Sequence, residues 1–322
     1  MPTFIITVRS IDSGAFGDEL GKIRYLNAPD GVAPTPAHVV TQTAWLAAIM
    51  TTFQTPDAAG KPGAARGDAL FVVHGFNEAF ADVVTLHASI RDGLDQHGGY
   101  KPTLVSFDWP SEGKVYAYLP DLDVAAKTAI DMVNGGVRPL LRMQTPGCQV
   151  RVNALAHSMG AFVLRAALGH ADDGDLTGTD WMLGQLALVA GDVEASAFAS
   201  GDKDTQAMMG HAYRLTNYVN NYDEVLAISN AKRAGVEDRV GRVGLLPGAP
   251  STTVNVNCSD RYKALPDPDP LNPIKTAANS HSWYFSDANF YRDLAQTLKG
   301  AVDRNVVALR TVGAGGALGL AV

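Results

Sequence analysis

The stretch Val150-Arg151-Val152-Asn153-Ala154-Leu155-Ala156-His157-Ser158-Met159-Gly160-Ala161-Phe162-Val163-Leu164 constrains the fold more than any other part of the chain. Its first half is a β-branched, apolar run that reads as a strand. The run stops at Ala156-His157-Ser158-Met159-Gly160 and passes at once into a helical pattern. A serine on so sharp a strand-to-helix turn, with its Oγ exposed at the end of a sheet, is a nucleophile elbow. Neighbouring backbone passes close to such a turn, so the residues flanking the serine must be small. Gly160 and Ala161 meet that demand on one side; on the other, Ala156 stands where glycine is usual, one methyl larger. A helix is expected over Ala161–Leu168, with Gly169 at its C-terminal cap. Five residues alone would also fit an incidental serine, and the flanking strand and helix favour the functional reading.

The remaining pattern says what surrounds this turn. Residues 1–26 predict one or two strands, and Thr35-Pro36 predicts an N-cap with proline at the first helical position. Gln54 to Asp68, rich in Gly, Pro and Ala, reads as a surface loop. From Ala69 strands and helices alternate. Leu70–Val73 is a short apolar strand of the kind buried on both faces of a parallel sheet. A helical face follows through Phe80, Val83, Val84, His87, Ile90 and Leu94, then a strand over Thr103–Phe107. Asp121 to Met143 is expected to be helical, interrupted at Gly135-Gly136 or Pro139. Further strands are expected at Leu186–Ala190, Tyr213–Val219 and Thr252–Val256, with a closing helix over Phe285–Leu298. This order implies a doubly wound, mostly parallel sheet with flanking helices. The expected division is an N-terminal extension (1–68) packed on the main domain, a catalytic domain (69–300) and a partly flexible Gly/Ala-rich C-terminal segment (301–322).

Composition narrows the classes of partner. A hydrophobic content of 46% against 18% charged residues is that of a globular chain with a sizeable core. A net charge of −7 and the lack of a basic, aromatic-interleaved patch argue against nucleic acid. No run reaches the length of a bilayer-spanning helix, and the N-terminus reads as a first strand rather than a leader. Cys148 and Cys258 have no metal or redox spacing and are expected to be buried free thiols, which fits a cytoplasmic location. The phosphate-loop, zinc-protease and dinucleotide patterns are missing, so neither metal nor cofactor is implied.

A serine hydroxyl needs a base within reach and an acid to orient that base. The histidines downstream of Ser158 are His170, His211 and His281. His170 ends the elbow helix and His211 precedes a strand at the far edge of the sheet. His281 is expected in a loop just before the last helix, where a base can face the serine. Two acids follow strands at the proper edge, Asp223 after Tyr213–Val219 and Asp192 after Leu186–Ala190; Asp223 is favoured, and Asp192 stays open. The backbone N–H groups of Met159 and Phe76 are the candidate oxyanion donors. Trp109, Tyr118 and Trp283, with Tyr116 and Tyr284 nearby, are candidates for an aromatic-lined substrate pocket, although simple packing fits them as well. His74 and His157 read as structural.

Several of these segments occur together in a familiar order: Val72-Val73-His74-Gly75-Phe76-Asn77, Phe107-Asp108-Trp109-Pro110-Ser111-Glu112-Gly113, Tyr118 with Asp121, and Ala156-His157-Ser158-Met159-Gly160. With Val189–Val193, Tyr222–Leu226 and Asn279-Ser280-His281-Ser282, they resemble a bacterial α/β-hydrolase family of unknown function, over residues 69 to 295. The resemblance implies the α/β-hydrolase fold and Ser158, Asp223 and His281 as a triad; it carries no substrate. The expectation is a serine hydrolase cleaving a small-molecule carboxylic ester through an acyl-enzyme. A thioesterase or acyltransferase with the same triad, or a catalytically silent binding module on this scaffold, are the alternatives.

Overall fold

The computed structural model describes residues 1–53, 65–111, 127–141, 149–170, 182–199, 201–232, 237–301, 303 and 306–322. Among the described residues its centre is a sheet of eleven strands: β1 (Thr3–Asp12), β2 (Ala15–Ala28), β3 (Val39–Val40), β4 (Arg66–Val73), β5 (Thr103–Asp108), β6 (Gln149–His157), β7 (Leu183–Val189), β8 (Ala212–Val219), β9 (Thr253–Asn257), β10 (Arg310–Val312) and β11 (Leu318–Leu320). They lie in the order β10-β11-β9-β8-β7-β6-β4-β5-β1-β2-β3. The run from β11 to β1 is parallel throughout, and β2, β3 and β10 are antiparallel additions at its two edges.

The apolar strands work as expected for a sheet covered on both faces. Along β4, Phe71 and Val73 enter one core while Leu70 and Val72 enter the other, because successive side chains point to opposite faces. β6 repeats the division with Ala154 and Ala156 against Leu155, and β7 with Leu186 and Leu188 against Ala187 and Val189. Helices Gln42–Phe53 and Gly160–Gly169 cover the first face through Trp45, Ile49, Val163 and Leu168. Helices Phe80–Gly98 and Ala288–Lys299 cover the second through Ile90, Leu94, Phe290 and Leu294. Each fully enclosed Leu, Ile or Phe contributes roughly 1.5–3 kcal/mol.

The strand order reverses at β4, whose neighbours are β5 on one side and β6 on the other. The connections leaving the carboxyl ends of β4 and β6 therefore diverge and open a crevice there, where ligands of such sheets bind. Val73 is in register with Ala156, which brings His74-Gly75 alongside His157-Ser158.

Four expectations change. Pro36 opens only a three-residue 3-10 turn behind Thr35; Val39-Val40 then pairs with β2, and the helix begins at Gln42. The interruption expected near Gly135-Gly136 is a π-helical turn over Met132–Val137, after which Arg138–Leu141 is again α-helical. His281 lies not in a loop but in the last turn of helix Pro273–Ser282, whose N-cap Asn272 accepts a hydrogen bond from the Lys275 amide. The C-terminal segment is not a loose end: β11 pairs parallel with β9, and buried Arg310 donates to both carboxylate oxygens of buried Asp293 at 2.8 Å. Most of the expected loop 54–68, part of the helix expected from Asp121, and Cys148 lie outside the described residues; Cys258 is buried and free.

Candidate active site

Ser158 leaves β6 with φ at +54°, a left-handed conformation that a non-glycine residue holds only where its surroundings enforce it. Its amide donates to the Val189 carbonyl at 3.0 Å, and its carbonyl accepts from the amides of Ala161 and Asp192 at 3.0 and 2.9 Å. Two glycines make the turn possible. A Cβ on Gly160 would run into the carbonyl oxygens of Val73 and His74, and one on Gly75 would stand 2.8 Å from the Ser158 Cβ. Met159 is the N-cap of helix Gly160–Gly169, so its amide belongs to the turn whose N–H groups lack intrahelical acceptors.

The other two predicted residues meet at the same edge. His281 Nδ1 lies 2.7 Å from Asp223 Oδ2, while Asp223 Oδ1 accepts the Leu226 amide at 2.9 Å and so caps helix Glu224–Lys232. Both oxygens are thus assigned, and the acid cannot turn away from the imidazole. Ser280 fixes the two segments to each other: its Oγ accepts the Glu224 amide at 3.0 Å and its carbonyl accepts Asn220 Nδ2 at 2.8 Å. His157 joins histidine to serine, with its ring 4.8 Å from that of His281 and its Nε2 3.4 Å from the His281 carbonyl. A carbonyl only accepts, so Nε2 carries the proton in that contact.

Asp192, the open alternative, pairs with Arg239. Its Oδ1 is 3.3 Å from Arg239 Nε, and its amide supports Ser158. It still bears on His281 through its charge. Burial would depress the His281 pKa, but the charge and hydrogen bond of Asp223, with the charges of Asp192 and Glu78, outweigh burial and raise it above 6.5. Burial, followed by the neighbouring His281, drives His157 well below 6.5, so His157 stays neutral.

A cleft of about 320 Å³ opens beside His157, walled by Asn77, Glu78, Asp82, Leu86 and Phe285 among others. Trp109 and Trp283 are not among its walls. Trp109 is fully enclosed, stacked on His74 with centroids 5.5 Å apart, and its indole N–H donates to the His74 carbonyl at 3.1 Å. Trp283 is 3% exposed and stacks on Tyr284. Tyr116 and Tyr118 lie outside the described residues. His74 has the structural part expected of it: Nε2 accepts from the Trp109 amide at 3.1 Å, and Nδ1 faces the Gly75 carbonyl at 2.9 Å.

Three contributors escaped sequence reasoning. Arg9 and Thr7 on β1 reach Asp108 at the end of β5, with Arg9 Nε 2.8 Å from Oδ1 and Thr7 Oγ1 2.5 Å from Oδ2. Burial opposes ionisation of Asp108, yet His74, Arg9 and Thr7 together hold its carboxyl below the usual range. Glu78, in the cleft, is pushed above its usual range by burial. A signal existed for the first pair: polar residues two apart in an apolar strand point to one face, and in β1 that face is buried.

The sheet order and the strand–serine–helix turn define an α/β hydrolase. The chain belongs to the family described as Alpha/beta hydrolase of unknown function (DUF900), whose model matches residues 62–275. No curated protein matches it significantly. Among solved structures it is similar to a phospholipase from Legionella pneumophila, at 13% identity and TM-score 0.36, covering 72% of this chain and 62% of that one. The chain thus spans less than two thirds of that phospholipase. It is also similar to a metagenomic carboxyl esterase (13% identity, TM-score 0.35, 77% of this chain and 81% of that one) and to a cutinase-like protein from Cryptococcus sp. (13%, 0.34, 74% and 97%). Among the described residues no helix is long and apolar enough to cross a membrane.

Proposed function

We propose that the protein is a serine hydrolase cleaving carboxylic esters of small molecules, with Ser158 as nucleophile, His281 as base and Asp223 as the orienting acid. The observation that carries this reading is the 2.7 Å contact of His281 Nδ1 with Asp223, beside a serine held in a left-handed turn. With Asp223 accepting at Nδ1, the imidazole keeps its proton there and offers the Nε2 lone pair. Ser158 Oγ attacks the ester carbonyl as its proton passes to Nε2. The oxyanion takes hydrogen bonds from the Met159 and Phe76 amides, each worth about 10²–10³ in rate at comparable sites. The C–O bond then breaks, the imidazolium returns the proton to the leaving alcohol, and water attacks the acyl-serine by the same route to release the acid and restore the serine. Asp223 stabilises the transient imidazolium, a role that costs on the order of 10⁴ in kcat when it is removed from other triads.

Hydrolysis of p-nitrophenyl esters of graded acyl length, by wild type and Ser158→Ala side by side, tests the reading. Turnover abolished in the variant supports it, and equal turnover in both refutes it. Turnover of acyl-coenzyme A thioesters with no turnover of oxygen esters would assign the same three residues to a thioesterase.

A further inference from the structure

We propose that Arg9, on the first strand, is a positioning residue for this reaction: it locks the loop after β4 in the shape that presents the Phe76 amide to the acyl group at Ser158. The inference rests on the function proposed above and extends it to the N-terminal strands, which lie outside the region matched by the family model.

Arg9 is completely buried, and its guanidinium is shared among four partners. Nε donates to Asp108 Oδ1 at 2.8 Å, Nη1 to Asp18 at 3.2 Å, and Nη2 to the carbonyls of Glu78 and Trp109 at 2.5 and 3.1 Å. Those two carbonyls belong to the loops that follow β4 and β5. One side chain therefore ties together the two connections on one side of the crevice.

The loop after β4 needs such a tie. Gly75 lies against Ser158, and two residues later Asn77 has φ at +64°. Asparagine tolerates this left-handed conformation, but residues 74–79 carry no regular secondary structure, so the shape of the loop depends on how its two flanks are tied. The upstream flank is fixed by His74, stacked on Trp109 and accepting its amide. The downstream flank is Glu78, whose amide donates to Ser111 Oγ at 3.1 Å and whose carbonyl accepts from Arg9. Phe76 lies between the two clamps. A displacement of about 1 Å at a reacting geometry costs on the order of 100-fold in rate. Lysine is no substitute, because one ammonium on a flexible stem cannot reproduce a planar fork spanning a carboxylate and two carbonyls.

The test compares Arg9→Lys, Arg9→Ala and Ser111→Ala with wild type. Active sites are first counted by the burst of a fluorophosphonate probe, so that kcat is expressed per competent serine rather than per folded molecule. A wild type that gives no burst overturns the proposed function itself, before Arg9 enters. With the burst in hand, the expected result is a fall in kcat per site of about 100-fold in the Arg9 variants and about 10-fold in Ser111→Ala, with KM within twofold of wild type. Added ethylguanidinium, but not ethylammonium, restores kcat saturably in Arg9→Ala. Should Arg9→Ala not fold, Arg9→Lys and Ser111→Ala carry the test alone. Wild-type kcat per site in those two variants, with any loss confined to thermal stability, overturns the proposal and leaves Arg9 a purely structural group.

Discussion

Asp223 meets His281 with one carboxylate oxygen and caps a helix with the other, so a single residue both orients the imidazole and anchors the strand end that carries it. The pH profile follows from this pairing. In the proposed mechanism His281 acts as a base only when unprotonated, and its pKa stands above 6.5. kcat/KM should therefore be low in acid and rise through an ionisation centred above pH 6.5. In Asp223→Asn the midpoint should move to lower pH and the plateau fall by about 10⁴. Initial rates from pH 5 to 9 on both proteins check the two shifts together.

Glu78 contributes to the same titration from the cleft. Its negative charge favours the imidazolium, so Glu78→Gln should lower the midpoint relative to wild type. A midpoint that stays in place or moves up would disconnect the cleft carboxylate from the histidine.

Gly75 leaves no room for a side chain, since a Cβ there would lie 2.8 Å from that of Ser158. Gly75→Ala should push the loop from the serine and cut kcat about 100-fold, while costing about 1–3 kcal/mol of stability. Thermal unfolding and turnover measured on one preparation separate the two effects.

At the far edge of the sheet, Asp293 takes two bonds from Arg310 and one from the Tyr218 hydroxyl at 2.7 Å, all of them buried. Arg310→Ala would leave that carboxylate unpaired and should destabilise the protein by about 3–5 kcal/mol. Chemical denaturation reads the loss. Asp293→Asn with Arg310→Met, which removes the charge pair as a whole, should recover part of it.

What the sequence disclosed was local or topological. The strand–serine–helix turn is read from Ser158 and its small neighbours, and the strand order brought Asp223 and His281 to one edge, where they meet at 2.7 Å, although His281 sits in a helix rather than the expected loop. The clamp of Arg9 on Asp108, 99 residues away, has no local signature beyond a polar pair in an apolar strand. The tail misled because Gly and Ala signal looseness, whereas its order comes from pairing with β9 and from Arg310. The helix bearing His281 is signalled by Asn272-Pro273, an N-cap followed by proline, but the run Pro266-Asp267-Pro268-Asp269-Pro270 just before it has the composition of a loop and masks that signal. Trp109 had the composition of a pocket wall, and burial against His74 gave it another task.

Ser158 as the nucleophile is tested most directly by the mass of the protein after reaction with a fluorophosphonate, followed by peptide mapping. One adduct per chain is expected, on Ser158, formed more slowly in His281→Ala by about a hundredfold or more. Labelling on a different residue, or labelling of Ser158 at an unchanged rate without His281, would contradict that assignment.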